Sequence, residues 1–172
     1  MNKKLSTITM AAMMMMAATT TTTTASLTPD EVMGDWKLVE LFDDQNEPVE
    51  IPDAPSDDGF VLHLTEKQGA GDGDNDDDDG KTLSLYTKIG NNMGGIMLLV
   101  DDETNSNNEQ TIKVGPLRST MMMPPPQIFA LETYLTKYLS TMDTLKLNDD
   151  GDELVLLGTG RIVCQNVAKA AV

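Results

Sequence analysis

The sequence predicts a mostly β fold of the α+β class, in which an antiparallel sheet packs against one main helix. Short stretches of alternating apolar and polar residues recur between turn residues, and one longer stretch carries apolar residues at intervals of three and four. With 172 residues, the chain is long enough for one domain with a substantial hydrophobic core.

The first 25 residues have the pattern of a secretory signal peptide. Two lysines near the start precede an uncharged run, residues 8–18, that is rich in Met and Ala, and small residues precede Ser26. This run is shorter than the roughly 20 apolar residues of a spanning helix, so no stable membrane insertion is expected. The alternative is a transit peptide for an organelle such as a plastid or mitochondrion, because residues 1–29 are rich in Ser and Thr and contain no acid.

The acidity of the chain limits its partners. It has 28 acidic and 12 basic side chains, a formal net charge of −16. Such a chain repels phosphate backbones and anionic lipids, so no nucleic-acid partner is expected. Cys164 is the only cysteine, so no internal disulfide can form, and we expect it to be a small buried side chain.

The folded part is predicted to begin after a linker at residues 26–33. Thr28 followed by Pro29 is typical of a helix start, so the linker can contain one helical turn. Residues 35–41 then alternate as the first strand. This strand carries Trp36, the expected core anchor.

Two acidic loops flank the second predicted strand, residues 60–66. The first loop spans 42–59 and contains three prolines, and the second is the Asp-rich loop 69–80. A calcium-binding loop would need a bidentate Glu where Tyr86 stands, so a disordered acidic loop is favoured over a calcium site. His63 lies on the strand and is interpreted as a polar residue of the sheet face.

Two further strands and a turn are predicted in the middle of the chain. Residues 82–89 and 96–100 are expected to pair in antiparallel fashion across a turn at 90–95. A polar turn at 101–110 leads to another strand at 111–114.

The chain must change direction between residues 119 and 127, because prolines 124–126 cannot lie inside a helix or a central strand. The three methionines 121–123 are expected to pack in the core, and a soft binding surface or an oxidation-sensitive site is the alternative. The helix that follows carries an apolar stripe, whose residues are Ile128, Phe129, Leu131, Leu135, Tyr138, Leu139 and Met142.

A meander of three strands is predicted to close the sheet, at residues 143–147, 153–157 and 161–164. The predicted domain therefore spans 34–166, and residues 167–172 form a tail. No catalytic, metal-binding or cofactor-binding residues are predicted, because the sequence offers no His with a nucleophilic partner, no metal-ligand cluster and no phosphate-binding loop.

Several motifs resemble the META/HslJ domain family. Members of the family carry Gly-Cys-Asn where this chain has Gly90-Asn91-Asn92, and Thr-x-Met-x-Cys-Pro where it has residues 120–125. Both customary cysteines are replaced, by Asn91 and Pro124. The residues that carry the resemblance are Gly90, Asn92, Ser119, Thr120, Met122, Pro125 and Glu132.

The resemblance implies a strongly bent antiparallel sheet or partial barrel with one helix packed across it. It also implies a secreted or envelope-associated protein linked to stress tolerance or virulence, with no established reaction. We therefore expect a monomeric, non-enzymatic binding module without a cofactor, whose partner is an unknown protein or a small apolar ligand. The alternative is an enzyme that uses Glu132 and Arg118, although Glu132 is more simply placed by the helix dipole.

Overall fold

A closed antiparallel barrel with one helix across its end accounts for most of the chain in the computed structural model, which describes residues 26–67, 81–100 and 108–169. The predicted signal peptide and the acidic loop 69–80 lie outside the described residues. Two helices and nine strands are described: α1 Pro29–Val32, β1 Gly34–Phe42, β2 Val61–Glu66, β3 Thr82–Lys88, β4 Asn92–Val100, β5 Glu109–Val114, β6 Arg118–Ser119, α2 Pro126–Leu139, β7 Met142–Leu147, β8 Glu153–Gly158 and β9 Arg161–Asn166.

Eight strands close the barrel in the order β3-β2-β1-β9-β8-β7-β5-β4, and pairing of β3 with β4 completes the ring. The predicted mostly β fold is thus confirmed, and the barrel is closed. Closure gives each of the eight strands two neighbours, so their backbone amides and carbonyls pair within the sheet. The short strand β6 pairs with the start of β4, at Met93 and Gly94.

Every second residue of each strand points into the barrel, and most of these residues are apolar. Trp36 is fully buried there, and its indole nitrogen donates a hydrogen bond to the carbonyl of Val32 at 2.9 Å. Val32 lies on α1 and is also fully buried. The segment 26–33, predicted as a linker, therefore packs into the domain core.

Two predicted turns are shorter than expected. Strand β4 begins at Asn92, so most of the predicted turn 90–95 is strand, and it pairs with β3 as predicted. Strand β5 begins at Glu109 and so includes the last two residues of the predicted polar turn 101–110, whose residues 101–107 lie outside the described part of the chain. Gln110 is fully buried, and its polar atoms have partners there. Its Nε2 donates to the carbonyl of Val100, and its Oε1 accepts from the hydroxyl of Ser26.

Helix α2 lies across one end of the barrel, where β1 and β3 end and β4, β7 and β9 begin. Pro126 is its first residue, a position that needs no amide hydrogen. The predicted stripe is right for its inner residues, but Phe129 is 58% exposed, and Met142 belongs to β7. Tyr134 is buried instead, and its hydroxyl donates to the carbonyl of Phe42 at 2.7 Å.

Candidate functional site

A buried carboxylate joins α2 to the turn between β3 and β4. Glu132 is only 6% exposed. Its Oε1 accepts from the backbone amides of Gly90, at 2.9 Å, and Asn91, and its Oε2 accepts from Nδ2 of Asn91 at 2.8 Å. The explanation of Glu132 by the helix dipole was wrong, because Glu132 lies beyond the first turn of α2, which contains no acidic residue. The amides satisfy the carboxylate inside the protein instead.

The side chain of Asn91 also bonds the segment that precedes α2. Its Oδ1 accepts from the backbone amide of Met122 at 2.7 Å and from the hydroxyl of Thr120 at 3.1 Å. Its Nδ2 donates to the carbonyl of Met122 at 3.1 Å. We call Gly90, Asn91, Thr120, Met122 and Glu132 the Asn91 cluster.

Residue 90 must be a glycine because the start of α2 lies very close to it. A Cβ atom at Gly90 would lie 2.5 Å from Cβ of Pro124 and 2.8 Å from Cγ2 of Ile128. These distances are far shorter than a carbon–carbon contact of about 3.5 Å. The turn can therefore pack against Pro124 only if residue 90 has no side chain.

The remaining motif residues lie beside the cluster. The backbone amide of Asn92 donates to the Thr120 hydroxyl at 3.0 Å. Ser119 pairs with Met93, and its hydroxyl donates to the carbonyl of Thr120 at 3.1 Å. Pro125 precedes the helix, and its carbonyl accepts from the amide of Phe129 at 2.9 Å.

An apolar groove runs between residues 119–123 and α2. Its volume is about 620 Å³. Met121, Met122 and Met123 are 101%, 61% and 98% exposed and Phe129 on the helix is 58% exposed. We call this surface the methionine groove. The expectation that these methionines pack in the core was wrong, because the bonds from Asn91 and the following prolines hold the segment outside the barrel.

The rim of the methionine groove is polar. Thr133, Thr136 and Lys137 lie along its helical side. Nζ of Lys137 donates to the hydroxyl of Tyr138 at 2.7 Å, and this hydrogen bond is the main cause that raises the pKa of Lys137. Lys137 therefore adds one positive charge to the polar rim of the groove.

The residues considered for catalysis are kept apart. Arg118 is exposed on β6 and lines a different groove from Glu132. Cys164 is fully buried, and burial raises the pKa of its thiol, which opposes the thiolate form a nucleophile needs. Nδ1 of His63 forms a hydrogen bond with Oδ1 of Asp35 at 2.6 Å on the outer face of the sheet. Within the described residues, no group of three or more His, Cys, Asp or Glu side chains is placed to hold a metal ion.

Sequence reasoning missed Asn91 and the methionine groove. The signal for Asn91 was its place inside the Gly90–Asn92 motif, where a polar residue stands at a customary cysteine position. The sequence around the three methionines gave no sign that they are exposed, because apolar residues are more often buried.

In the described part of the chain, no helix is long and apolar enough to cross a membrane.

Comparisons with known proteins show the fold alone. No protein-family model matches the sequence, and no curated protein matches it. The NMR structure of a protein from Burkholderia xenovorans is similar, with a TM-score of 0.52 and 13% sequence identity, over 90% of this chain and 98% of that chain. At this identity, a shared barrel carries no statement about activity.

Proposed function

We propose that the protein is a non-enzymatic binding module and that the methionine groove receives an apolar segment of a protein partner. The observation that carries this proposal is the exposure of Met121 and Met123, at 101% and 98%, beside the exposed ring of Phe129. A cluster of exposed apolar side chains marks an interaction surface. Methionine is suited to it because the flexible, polarizable side chain adapts to differently shaped partners.

The degree of exposure favours a protein over a small apolar ligand. A small molecule lying in the groove would leave Met121 and Met123 largely in water, since both side chains stand out from the surface. A partner segment that covers the groove from outside would bury them. The net charge of −16 further favours a partner with basic residues around its apolar segment.

We also propose that the protein belongs to the META/HslJ family and that it is secreted or associated with the cell envelope. The motif residues Gly90, Thr120, Met122 and Glu132, far apart in sequence, meet in one cluster, which supports a shared structural reason for the motif. A barrel with one helix also agrees with the fold that the resemblance implies. A role in stress tolerance or virulence rests on the resemblance alone.

The location is tested by sequencing the N-terminus of the protein purified from its source cells. A mature start near Ser26 supports a cleaved signal peptide. An intact Met1 rejects cleavage, and localisation of the processed protein in an organelle favours the transit-peptide alternative.

The binding surface is tested with a fluorescent amphipathic peptide of leucine and lysine, titrated with the mature protein. We expect the double variant Met121→Gln/Met123→Gln to bind at least about tenfold more weakly, because two central apolar contacts are lost. Val155→Gln is the matched control, since Val155 is a partly exposed apolar residue on β8, outside the groove. Equal affinity of the groove variant and the wild type would overturn the proposal.

Two further ligands separate the alternatives. A leucine and glutamate peptide of the same length should bind more weakly than the lysine peptide, because the protein repels it. N-phenyl-1-naphthylamine, a neutral apolar probe, represents the small-ligand alternative. If the probe binds in the groove and neither peptide does, the partner is a small molecule and the proposed protein partner is wrong.

A further inference from the structure

Five residues align in one row across five neighbouring strands. Asp35 is opposite His63, His63 opposite Tyr86, Tyr86 opposite Gly94, and Gly94 opposite Arg118. Cross-strand partners point to the same side of a sheet. The residues before and after His63 and Tyr86 on their strands are buried, so the row lies on the outer face of the barrel.

Gly94 leaves a gap in this row between Tyr86 and Arg118. Neighbouring strands lie about 4.8 Å apart, so the backbones of Tyr86 and Arg118 are separated by roughly 10 Å. A flat ring needs about 3.5 Å of clearance on each of its two faces, which this gap provides. A Cβ atom at Gly94 would meet only the carbonyl of Leu85, at 3.6 Å, so the space above the glycine is open.

The gap is the centre of a second groove, of about 580 Å³, which we call the glycine slot. Ile96 and Pro116 add apolar surface to it, and Asn92 adds a polar side chain. Ile96 is 45% exposed and Tyr86 is 41% exposed. The slot therefore combines an aromatic face, an aliphatic wall and a guanidinium group.

The ring of Tyr86 is held in place from two sides. Its hydroxyl donates to Oδ1 of Asn92 at 3.0 Å, and the ring of His63 lies 5.7 Å away, tilted by 33°. His63 is in turn fixed by Asp35 at 2.6 Å. A ring that is already ordered loses little entropy when a ligand stacks on it.

Among the residues that the structure describes, Arg118 is the only charged one that lines the slot. A guanidinium group pairs with a carboxylate through two parallel hydrogen bonds, a geometry that a lysine cannot reproduce. Although the chain has a net charge of −16, Arg118 places a positive charge beside the exposed ring of Tyr86. This positive charge favours an anionic ligand.

We propose that the glycine slot binds a small planar aromatic carboxylate. The ring of the ligand stacks on Tyr86 above Gly94, and its carboxylate pairs with Arg118. Asn92 and the pair of His63 with Asp35 are positioning residues, because they hold Tyr86. This site is separate from the methionine groove and does not depend on the function proposed for that groove.

The test uses 2-naphthoate as the probe, titrated into the mature protein by isothermal calorimetry. Arg118→Met should weaken binding at least about tenfold, because the paired charge is lost while the length of the side chain is kept. Lys113→Met removes an exposed charge on β5, outside the slot, and should leave the affinity within about twofold of wild type.

Gly94→Val fills the slot without a backbone clash, so it should abolish binding while the circular dichroism spectrum stays unchanged. If this variant fails to fold, Gly94→Ala takes its place with a smaller expected loss. Retained affinity in Arg118→Met together with a folded Gly94 variant would overturn the proposal, as would absence of binding to the wild type at millimolar probe.

Three related ligands define the chemistry. We expect 2-naphthamide, which lacks the charge, and cyclohexanecarboxylate, which lacks the flat ring, to bind more weakly than 2-naphthoate. A short peptide that ends in a free tryptophan carboxylate tests the other source of the same chemistry. If this peptide binds more tightly than 2-naphthoate, the slot receives a chain end and the proposed small-molecule ligand is wrong.

Discussion

The carboxylate of Glu132 accepts hydrogen bonds from both the backbone amide and the side-chain amide of Asn91, across 41 residues of sequence. This contact fixes α2 to the turn between β3 and β4. The same Asn91 side chain bonds Met122, and the neighbouring Asn92 bonds Thr120, so these two residues attach the wall of the methionine groove to the barrel. The position of the proposed binding surface therefore depends on the Asn91 cluster.

Replacing Glu132 by Ala should lower the free energy of unfolding by about 3 kcal/mol. The variant removes a buried acceptor and leaves the donors of Gly90 and Asn91 without their partner. Urea denaturation measures the change. Glu40→Ala is the control, since Glu40 is exposed on β1. If Glu132→Ala lowers the free energy of unfolding as little as this control does, the carboxylate does not have the proposed role.

Asn91→Ala should loosen the methionine segment. The amide hydrogen of Met122 loses its acceptor, so we expect its exchange with solvent to become at least about tenfold faster. The amide of Gly115 serves as an internal control because it donates to the backbone carbonyl of Ile96 at 2.8 Å, away from Asn91. Unchanged exchange at Met122 would show that Asn91 does not hold the segment.

Gly158→Ala should be far more damaging than Gly94→Ala. A Cβ atom at Gly158 would lie 2.2 Å from the carbonyl oxygen of Thr141 and 2.8 Å from Cα of Met142, whereas at Gly94 the nearest contact is 3.6 Å. Because the clash at Gly158 involves backbone, we expect a loss of about 3 kcal/mol or more, against less than about 1 kcal/mol at Gly94. Thermal or urea unfolding of the two variants measures both losses. Similar losses in the two variants would contradict the close packing of Gly158 against the start of β7.

Stability should fall between pH 10 and about 12 because of Tyr134. Burial, followed by the neighbouring Tyr138, raises the pKa of Tyr134 from 10.0 to about 12. The unfolded state then releases the phenol proton before the folded state does, so this contribution is complete below pH 10 and is lost as the pH rises towards 12. Solvent screens the partly buried phenol, so the expected loss is about 1 to 2 kcal/mol.

Tyr134→Phe provides the comparison. The variant should be less stable than the wild type at neutral pH, because the carbonyls of Phe42 and Arg161 lose a donor. Its unfolding free energy should also depend less on pH between 10 and 12. A wild type and a variant with the same slope in this range would contradict the raised pKa.

The strands and the main helix could be predicted from periodicity, because a buried face leaves a local pattern in the sequence. Trp36 and the inner residues of α2 follow from the same rule. The pattern failed at Phe129, which lies at the border of the stripe, and at Gln110, whose burial depends on partners in Val100 and Ser26. Long-range hydrogen bonds leave no such pattern.

The two proposed binding surfaces depend on relationships that no local pattern contains. Glu132 is buried because it meets donors on a distant turn, and the methionines are exposed because Asn91 and the prolines keep their segment outside. The row from Asp35 to Arg118 requires the register of five strands, and its last pairing joins β4 to β6, which are separated in the chain by β5. Residue hydrophobicity alone therefore predicted the wrong location for residues 121–123.

The most direct test of the methionine groove is nuclear magnetic resonance of the mature protein labelled with ¹³C at the methionine methyl groups, titrated with the leucine and lysine peptide. We expect the signals of Met121 and Met123 to shift in proportion to bound peptide, while those of the buried Met93, Met97 and Met142 stay in place. Saturable binding of the peptide with no shift at Met121 or Met123 would contradict the proposed binding surface.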